Sequence, residues 1–250
     1  MAVMLVAAAA VGSFMSSVFV AAPGEAAACT RVLVIGDSMA VQVGADLEAA
    51  FASTGRCAHV VNAAVSGSSV VEWAPGGRFD LRSVLDRSRP ELVVVHFVGN
   101  EGSSGLLWSD PMWLERTATA ALAIVHEATI RGAAVAWALP PKSAWACDWH
   151  QLSAQRFAAW HAWIRDELWT TRPVIRVDWR TPFGGESYVR WFEYPDGSVR
   201  SLRAVDCVHF SDAGARVAAD LTVAETQATR GSAKATTVAV DVQPRPDLPR

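Results

Sequence analysis

The chain has 250 residues, of which 51% are hydrophobic and 19% charged, enough apolar material for one substantial core flanked by tails. Lys and Arg number 22 against 25 Asp and Glu, a net charge of −3 with no basic cluster, so the electrostatic footprint that holds a phosphate backbone is missing and no nucleic-acid partner is expected.

Residues 1–28 open on Met1-Ala-Val-Met-Leu-Val-Ala and run apolar to Ala22 before Pro23-Gly-Glu-Ala-Ala-Ala28. This reads as an export signal, with Ala26 and Ala28 at the small-residue places before a cut ahead of Cys29. The usual positive start is absent, and a retained anchor over residues 1–22 is the alternative because the run approaches the ~20 residues of a spanning helix. Lipidation of Cys29 is a weaker reading, since Ala26-Ala-Ala-Cys29 lacks the customary leucine. The expected location is secreted or extracytoplasmic, with transient membrane association through the N-terminal segment as a further option.

From Arg31 onward short apolar runs alternate with helical spacing. Buried strands are expected at Val32 to Ile35, Ala58 to Ala63, Leu92 to Phe97, Ala133 to Ala138 and Val174 to Val177. Helices are expected at Met39 to Ala52, Asp80 to Arg87, Pro111 to Ile130, Ser153 to Trp169 and Asp212 to Thr226. Such alternation implies one parallel sheet covered on both faces, whose ligands sit beyond the carboxyl ends of the strands. The domain is expected over 29–228, and 229–250, rich in Ala, Thr, Pro and Arg without periodicity, is expected to be a disordered tail.

Four cysteines allow three pairings. Cys29 and Cys57 each lie three residues before an apolar run, so adjacent parallel strands would bring them together, which leaves Cys147 with Cys207. Four reduced cysteines, or a zinc site made by Cys147, His150, Cys207 and His209, are the competing readings; the spacings fit no common zinc pattern, and no metal or other cofactor is expected.

The chemistry concentrates where Arg31-Val-Leu-Val-Ile-Gly-Asp-Ser38 ends an apolar run and puts a hydroxyl at a strand-to-helix turn. Serine is a poor nucleophile at neutral pH, so an imidazole must take its proton and a carboxylate must fix the tautomer of that imidazole. Asp206-Cys-Val-His209 supplies both, with His209 as base and Asp206 one turn away as its orienter. Asp37 reads as a structural turn residue beside the nucleophile. Taken alone, Asp206 could cap a helix and His209 could be a surface residue.

Gly36-Asp-Ser38, Gly67 in Ala64-Val-Ser-Gly-Ser68, Gly99-Asn100-Glu101, and Asp206-Cys-Val-His209-Phe-Ser-Asp-Ala-Gly214 resemble, in order, the four sequence blocks of the SGNH (GDSL) hydrolases over roughly Arg31 to Leu221. The third block departs from the usual Gly-x-Asn-Asp, since here Gly99 directly precedes Asn100 and Glu101 follows. The resemblance implies a flavodoxin-like three-layer α/β/α sandwich with a five-stranded parallel sheet. It also implies an oxyanion hole formed by the Ser38 and Gly67 N–H groups and the Asn100 side chain, donors of a kind commonly worth ~3–4 kcal/mol each.

Among the other histidines, His96 reads as a core or strand-end residue, and His59, His126 and His161 as element-edge residues. His150 is the rival base. Eleven tryptophans are many for this length; Trp73, Trp108, Trp145, Trp149 and Trp191 fall in expected loops, where they could stack on sugars or cover an acyl chain, whereas Trp160, Trp163 and Trp169 read as helix packing. The expectation is an exported serine esterase cleaving O-acyl esters of a small molecule, carbohydrate or glycolipid. An O-acyltransferase using the same triad and a non-catalytic carbohydrate-binding module are the alternatives.

Overall fold

A computed structural model describes residues 29–100, 110–143, 151–229 (side chains from 155 onward in that stretch) and 243–246. The segment expected to be an export signal therefore lies outside the described residues, as do Cys147, His150, Trp108, Trp145 and Trp149. Five strands, β1 (Thr30–Gly36), β2 (Ala58–Asn62), β3 (Leu92–His96), β4 (Ala134–Leu139) and β5 (Val174–Asp178), form one sheet in the order β2-β1-β3-β4-β5. All pairings in it are parallel. The chain steps outward from β1 to β2, then crosses back to lay β3 on the other side of β1, so a crevice opens beyond the carboxyl ends of β1 and β3.

Alternating side chains of β1 divide the interior. Val32 and Val34 join Met39, Val43, Leu47 and Phe51 of α1 (Ser38–Ser53) and Val217 and Val223 of α7 (Asp212–Thr229). Leu33 and Ile35 face the opposite layer, built from α2 (Val70–Trp73), α3 (Leu81–Ser88), α4 (Trp113–Thr129) and α5 (Gln151–Trp163). The result is three layers, α/β/α. Helix α5 runs on through a π turn over Ile164–Leu168 into the short α6 (Trp169–Thr171).

Two features exceed the sequence-based expectation. Between β5 and α7 the chain forms β6 (Trp191–Glu193) and β7 (Val199–Ser201), too short to show a readable alternation. Within the segment expected to be a disordered tail, β8 (Gln243–Pro244) pairs antiparallel with β6, and Arg245 binds Glu193 at 2.6 Å. The expected Cys29–Cys57 bridge is present, with Cα atoms 4.6 Å apart, because Thr30 and Ala58 are register partners. Cys207 is also disulfide-bonded; its expected partner Cys147 lies outside the described residues.

Candidate active site

Ser38 is the first residue of α1, directly after the β1 turn. Gly36 makes that turn at φ 144°, and a side chain there would run into the His96 carbonyl and the Ala40 methyl group, so only glycine lets the two strands and the helix meet so closely. Asp37 is fully buried. Its Oδ1 caps α1 by accepting the Met39 N–H at 3.1 Å, and its Oδ2 accepts the Val98 N–H at 2.6 Å. His96 Nδ1 lies 3.1 Å from the same Oδ1, and its ring stacks on Trp179, so His96 is the core histidine expected.

His209 arrives from the other end of the chain. Its Nε2 stands 2.7 Å from Ser38 Oγ, and its Nδ1 stands 2.6 Å from Asp206 Oδ2. Asp206 uses its two oxygens differently: Oδ2 meets the ring, and Oδ1 accepts the backbone N–H groups of Val208 and His209, each at 3.0 Å. Asp206 thus caps the turn that carries His209 rather than a helix, while its other oxygen meets the ring. Burial pushes the Asp206 carboxyl up, and the hydrogen bonds from His209 and Val208 outweigh it, so the group titrates below the ordinary aspartate value.

Three residues that the sequence did not single out hold the two turns that carry Ser38 and His209. Gln42, one turn beyond Ser38, donates from Nε2 to the Phe210 carbonyl at 2.9 Å and accepts the Phe210 N–H at 3.2 Å. Arg203 is buried beneath the turn, donating to the carbonyls of Val208 at 2.8 Å and of Lys142 at 2.7 Å. Burial lowers the Arg203 pKa to about 10, opposed by Tyr188 and Asp206. Ser68 donates to the Gly36 carbonyl at 2.8 Å and accepts the Trp73 indole N–H at 3.1 Å. No local pattern flags them, because each acts through contacts remote in sequence.

Gly67 has a left-handed backbone, φ 75°, and Asn100 Nδ2 donates to the carbonyl of the next residue, Ser68, at 3.3 Å. The Phe97–Asn100 stretch continues β3 past its last paired residue.

Several sequence-based expectations need correction. Trp73 is not a loop platform for sugar; it is buried in α2, where its ring stacks on Phe79. Trp191 lies in β6, half-buried, with Arg190 over its ring. His161 is not an edge residue but sits deep in α5, donating to the Val98 carbonyl at 3.0 Å. His59 and His126 are exposed, and Trp160 is buried against Trp163 as expected. Of the four residues of the zinc alternative, Cys207 is disulfide-bonded and the His209 ring is held between Asp206 and Ser38.

A family model described as "Protein of unknown function (DUF459)" matches residues 31–225. Esterase TesA of Pseudomonas aeruginosa is 33% identical over 90 residues, covering 33% of this chain and 43% of TesA. The chain thus matches less than half the length of that curated relative. Among solved structures, LAE5, an α/β hydrolase from the metagenome of Lake Arreo, Spain, superposes with a TM-score of 0.58 at 17% identity, covering 79% of this chain and 94% of LAE5. The psychrotrophic esterase EstA of Pseudoalteromonas sp. gives 0.52 at 15% identity over 80% and 97% of the two chains. A protein assigned to the SGNH hydrolases, from Slackia heliotrinireducens, gives 0.52 at 21% identity over 80% and 100%. With a family match across residues 31–225 and this sheet order, the chain belongs to the DUF459 family, built on the three-layer α/β/α fold of the SGNH hydrolases.

Proposed function

We propose that the protein is an exported serine esterase that cleaves O-acyl esters, with Ser38 as nucleophile, His209 as general base and Asp206 as its orienter. The observation that carries this reading is the continuous chain from Asp206 Oδ2 to His209 Nδ1 at 2.6 Å and from His209 Nε2 to Ser38 Oγ at 2.7 Å. In the first step Ser38 Oγ bonds to the ester carbonyl carbon, its proton passes to His209 Nε2, and the carbonyl π pair moves onto oxygen. The Ser38 and Gly67 N–H groups and the Asn100 amide would receive that charge. Collapse breaks the bond to the alkoxy group, which leaves with the proton from His209, and an acyl-Ser38 ester remains. Water then repeats the sequence, giving up its proton to His209, and releases the acid and the free Ser38 hydroxyl.

The Cys29–Cys57 disulfide supports an oxidising compartment. No helix among the described residues is long and apolar enough to cross a membrane. For the substrate we favour an O-acylated carbohydrate or glycolipid. In support, the His209 side chain beside Ser38 is 34% exposed, so the ring that would protonate the leaving alcohol is reachable from solvent. A family 3 carbohydrate esterase of Clostridium thermocellum shares the fold at a TM-score of 0.52 and 13% identity.

Turnover of p-nitrophenyl acetate by the wild type and its loss in a folded Ser38→Ala variant would support the reading, and equal turnover by both would overturn it. Release of free acetate from acetylated xylan, rather than its appearance on an added sugar acceptor, separates hydrolysis from acyl transfer.

A further inference from the structure

The strand-end loop that carries Asn100 is gripped from several directions. The Phe97 carbonyl accepts the Trp160 indole N–H at 3.0 Å, and Val98 gives its N–H to Asp37 at 2.6 Å. The Val98 carbonyl takes the His161 Nε2–H at 3.0 Å. Gly99, at φ 117°, lies so near α5 that a side chain there would stand 2.8 Å from the Phe157 ring. Trp160 and His161, adjacent on α5, thus bond two successive carbonyls of β3's extension, and Asn100 is two residues further on.

His161 is itself fixed. Its Nδ1 accepts from Arg180 Nη2, while Arg180 Nε donates to the Pro140 carbonyl at 3.2 Å and Nη1 to Glu186 at 3.2 Å. An Nδ1 that accepts from a guanidinium carries no proton, so the ring is the neutral Nε2–H tautomer, which is the form that donates to Val98. Burial, then the nearby Arg180 charge, push its pKa down to about 3, so this tautomer persists throughout the neutral range.

We infer that His161, held by Arg180, is a positioning residue that sets the Asn100 side chain through the Val98 carbonyl. This rests on the proposed role of Asn100 as an oxyanion donor. Such a donor acts only when aimed at the place the oxyanion will occupy, and small displacements of positioning groups cost up to about 10²-fold in rate. The conservation of geometry needed is confined to the Val98–Asn100 stretch, so the expected signature is a fall in kcat with KM little changed.

The test is a mutant cycle on p-nitrophenyl acetate turnover. His161→Phe keeps a ring and removes the donor; it should lower kcat about tenfold in the wild-type background and less than about twofold in Asn100→Ala, because the positioning has nothing left to act on. His161→Gln, whose amide nitrogen reaches the place of Nε2, should restore most of kcat. Equal losses in both backgrounds, or an unchanged kcat in His161→Phe, would overturn the inference. Should His161→Phe fail to fold, His161→Gln and His161→Asn decide it: the shorter amide of Asn places its nitrogen nearer the site of Nδ1, so activity retained by Gln and lost by Asn supports the role, and equal activity removes it. Ser38→Ala runs alongside. If it retains turnover the triad reading falls, whereas Ser38-dependent turnover that is indifferent to His161 removes only this inference.

Discussion

Gln42 and Phe210, 168 residues apart, exchange two hydrogen bonds, at 2.9 Å from the Gln42 amide to the Phe210 carbonyl and at 3.2 Å from the Phe210 N–H back to the amide oxygen. Gln42 lies one helical turn after Ser38, and Phe210 follows His209, so the clamp fixes the Ser38 helix to the turn that carries His209. Gln42→Met keeps the length of the side chain and removes both bonds. It should cost about 1–3 kcal/mol in a urea melt and lower kcat/KM at least about tenfold, since the Phe210 backbone groups lose their partner and the Ser38–His209 approach loosens. A melt and kcat/KM both matching the wild type would show that the clamp is idle.

The triad members should behave as one unit. His209→Ala should lose ester turnover nearly as completely as Ser38→Ala, and the double variant should be little worse than either single one. Asp206→Asn should leave a measurable residue of activity, because its carboxylate orients the ring and stabilises the imidazolium without touching the substrate. Organophosphonate labelling followed by peptide mapping gives an independent readout, and labelling of a serine other than Ser38 would refute the assignment.

Gly36→Ala should prevent folding rather than merely slow catalysis. The added methyl group would meet the His96 carbonyl, a backbone atom of the neighbouring strand that cannot move away without breaking the β1–β3 ladder. Soluble expression with a native melting temperature would contradict this.

Acid should destabilise the fold beginning near neutrality. The folded pKa of His161, about 3, is far below the ~6.5 of an unfolded chain, so the unfolded state takes up the proton first as pH falls. Its stabilising contribution is complete above about 6.5 and is lost progressively down to about 3, at up to ~1.4 kcal/mol per pH unit. Glu127, lowered by its hydrogen bond to Arg82, acts in the same direction only below the ordinary glutamate range, and Asp220 and Glu225, raised by burial, act in the opposite direction, so comparison with a His161 variant between about 6.5 and 5 is what assigns the effect. Urea midpoints at both ends of that interval should differ more for the wild type than for His161→Gln; equal differences would exclude the histidine as the source.

Reduction of Cys29–Cys57 should lower the melting temperature without abolishing ester turnover. The bridge spans a sequence separation of 28 residues and joins the amino ends of β1 and β2, at the edge of the sheet opposite Ser38. The chain-entropy model puts such a bridge at about 3–4 kcal/mol. A Cys29→Ser, Cys57→Ser variant as stable as the oxidised protein would contradict that estimate.

The sequence by itself determined the five strands and the principal helices, because apolar runs and helical spacing are local and the burial that rewards them is the same in any α/β sandwich. It also singled out Ser38, His209 and Asp206, which the fold brings within hydrogen-bonding distance of one another, since Gly36-Asp-Ser38 and Asp206-Cys-Val-His209 are short motifs legible in the local sequence. The Cys29–Cys57 pair followed from strand adjacency alone. What the tertiary structure decided is everything made between distant segments. Arg203, Gln42 and His161 look like ordinary polar residues on their own elements, and their importance lies in bonds to carbonyls that the strand order brings alongside. The burial of Trp73 is not legible in the sequence, because a four-residue helix gives too little periodicity to show which way its indole points. Short strands such as Trp191–Glu193 and Gln243–Pro244 carry almost no local signal, and they form where paired strands, Val199–Ser201 among them, supply their backbone partners.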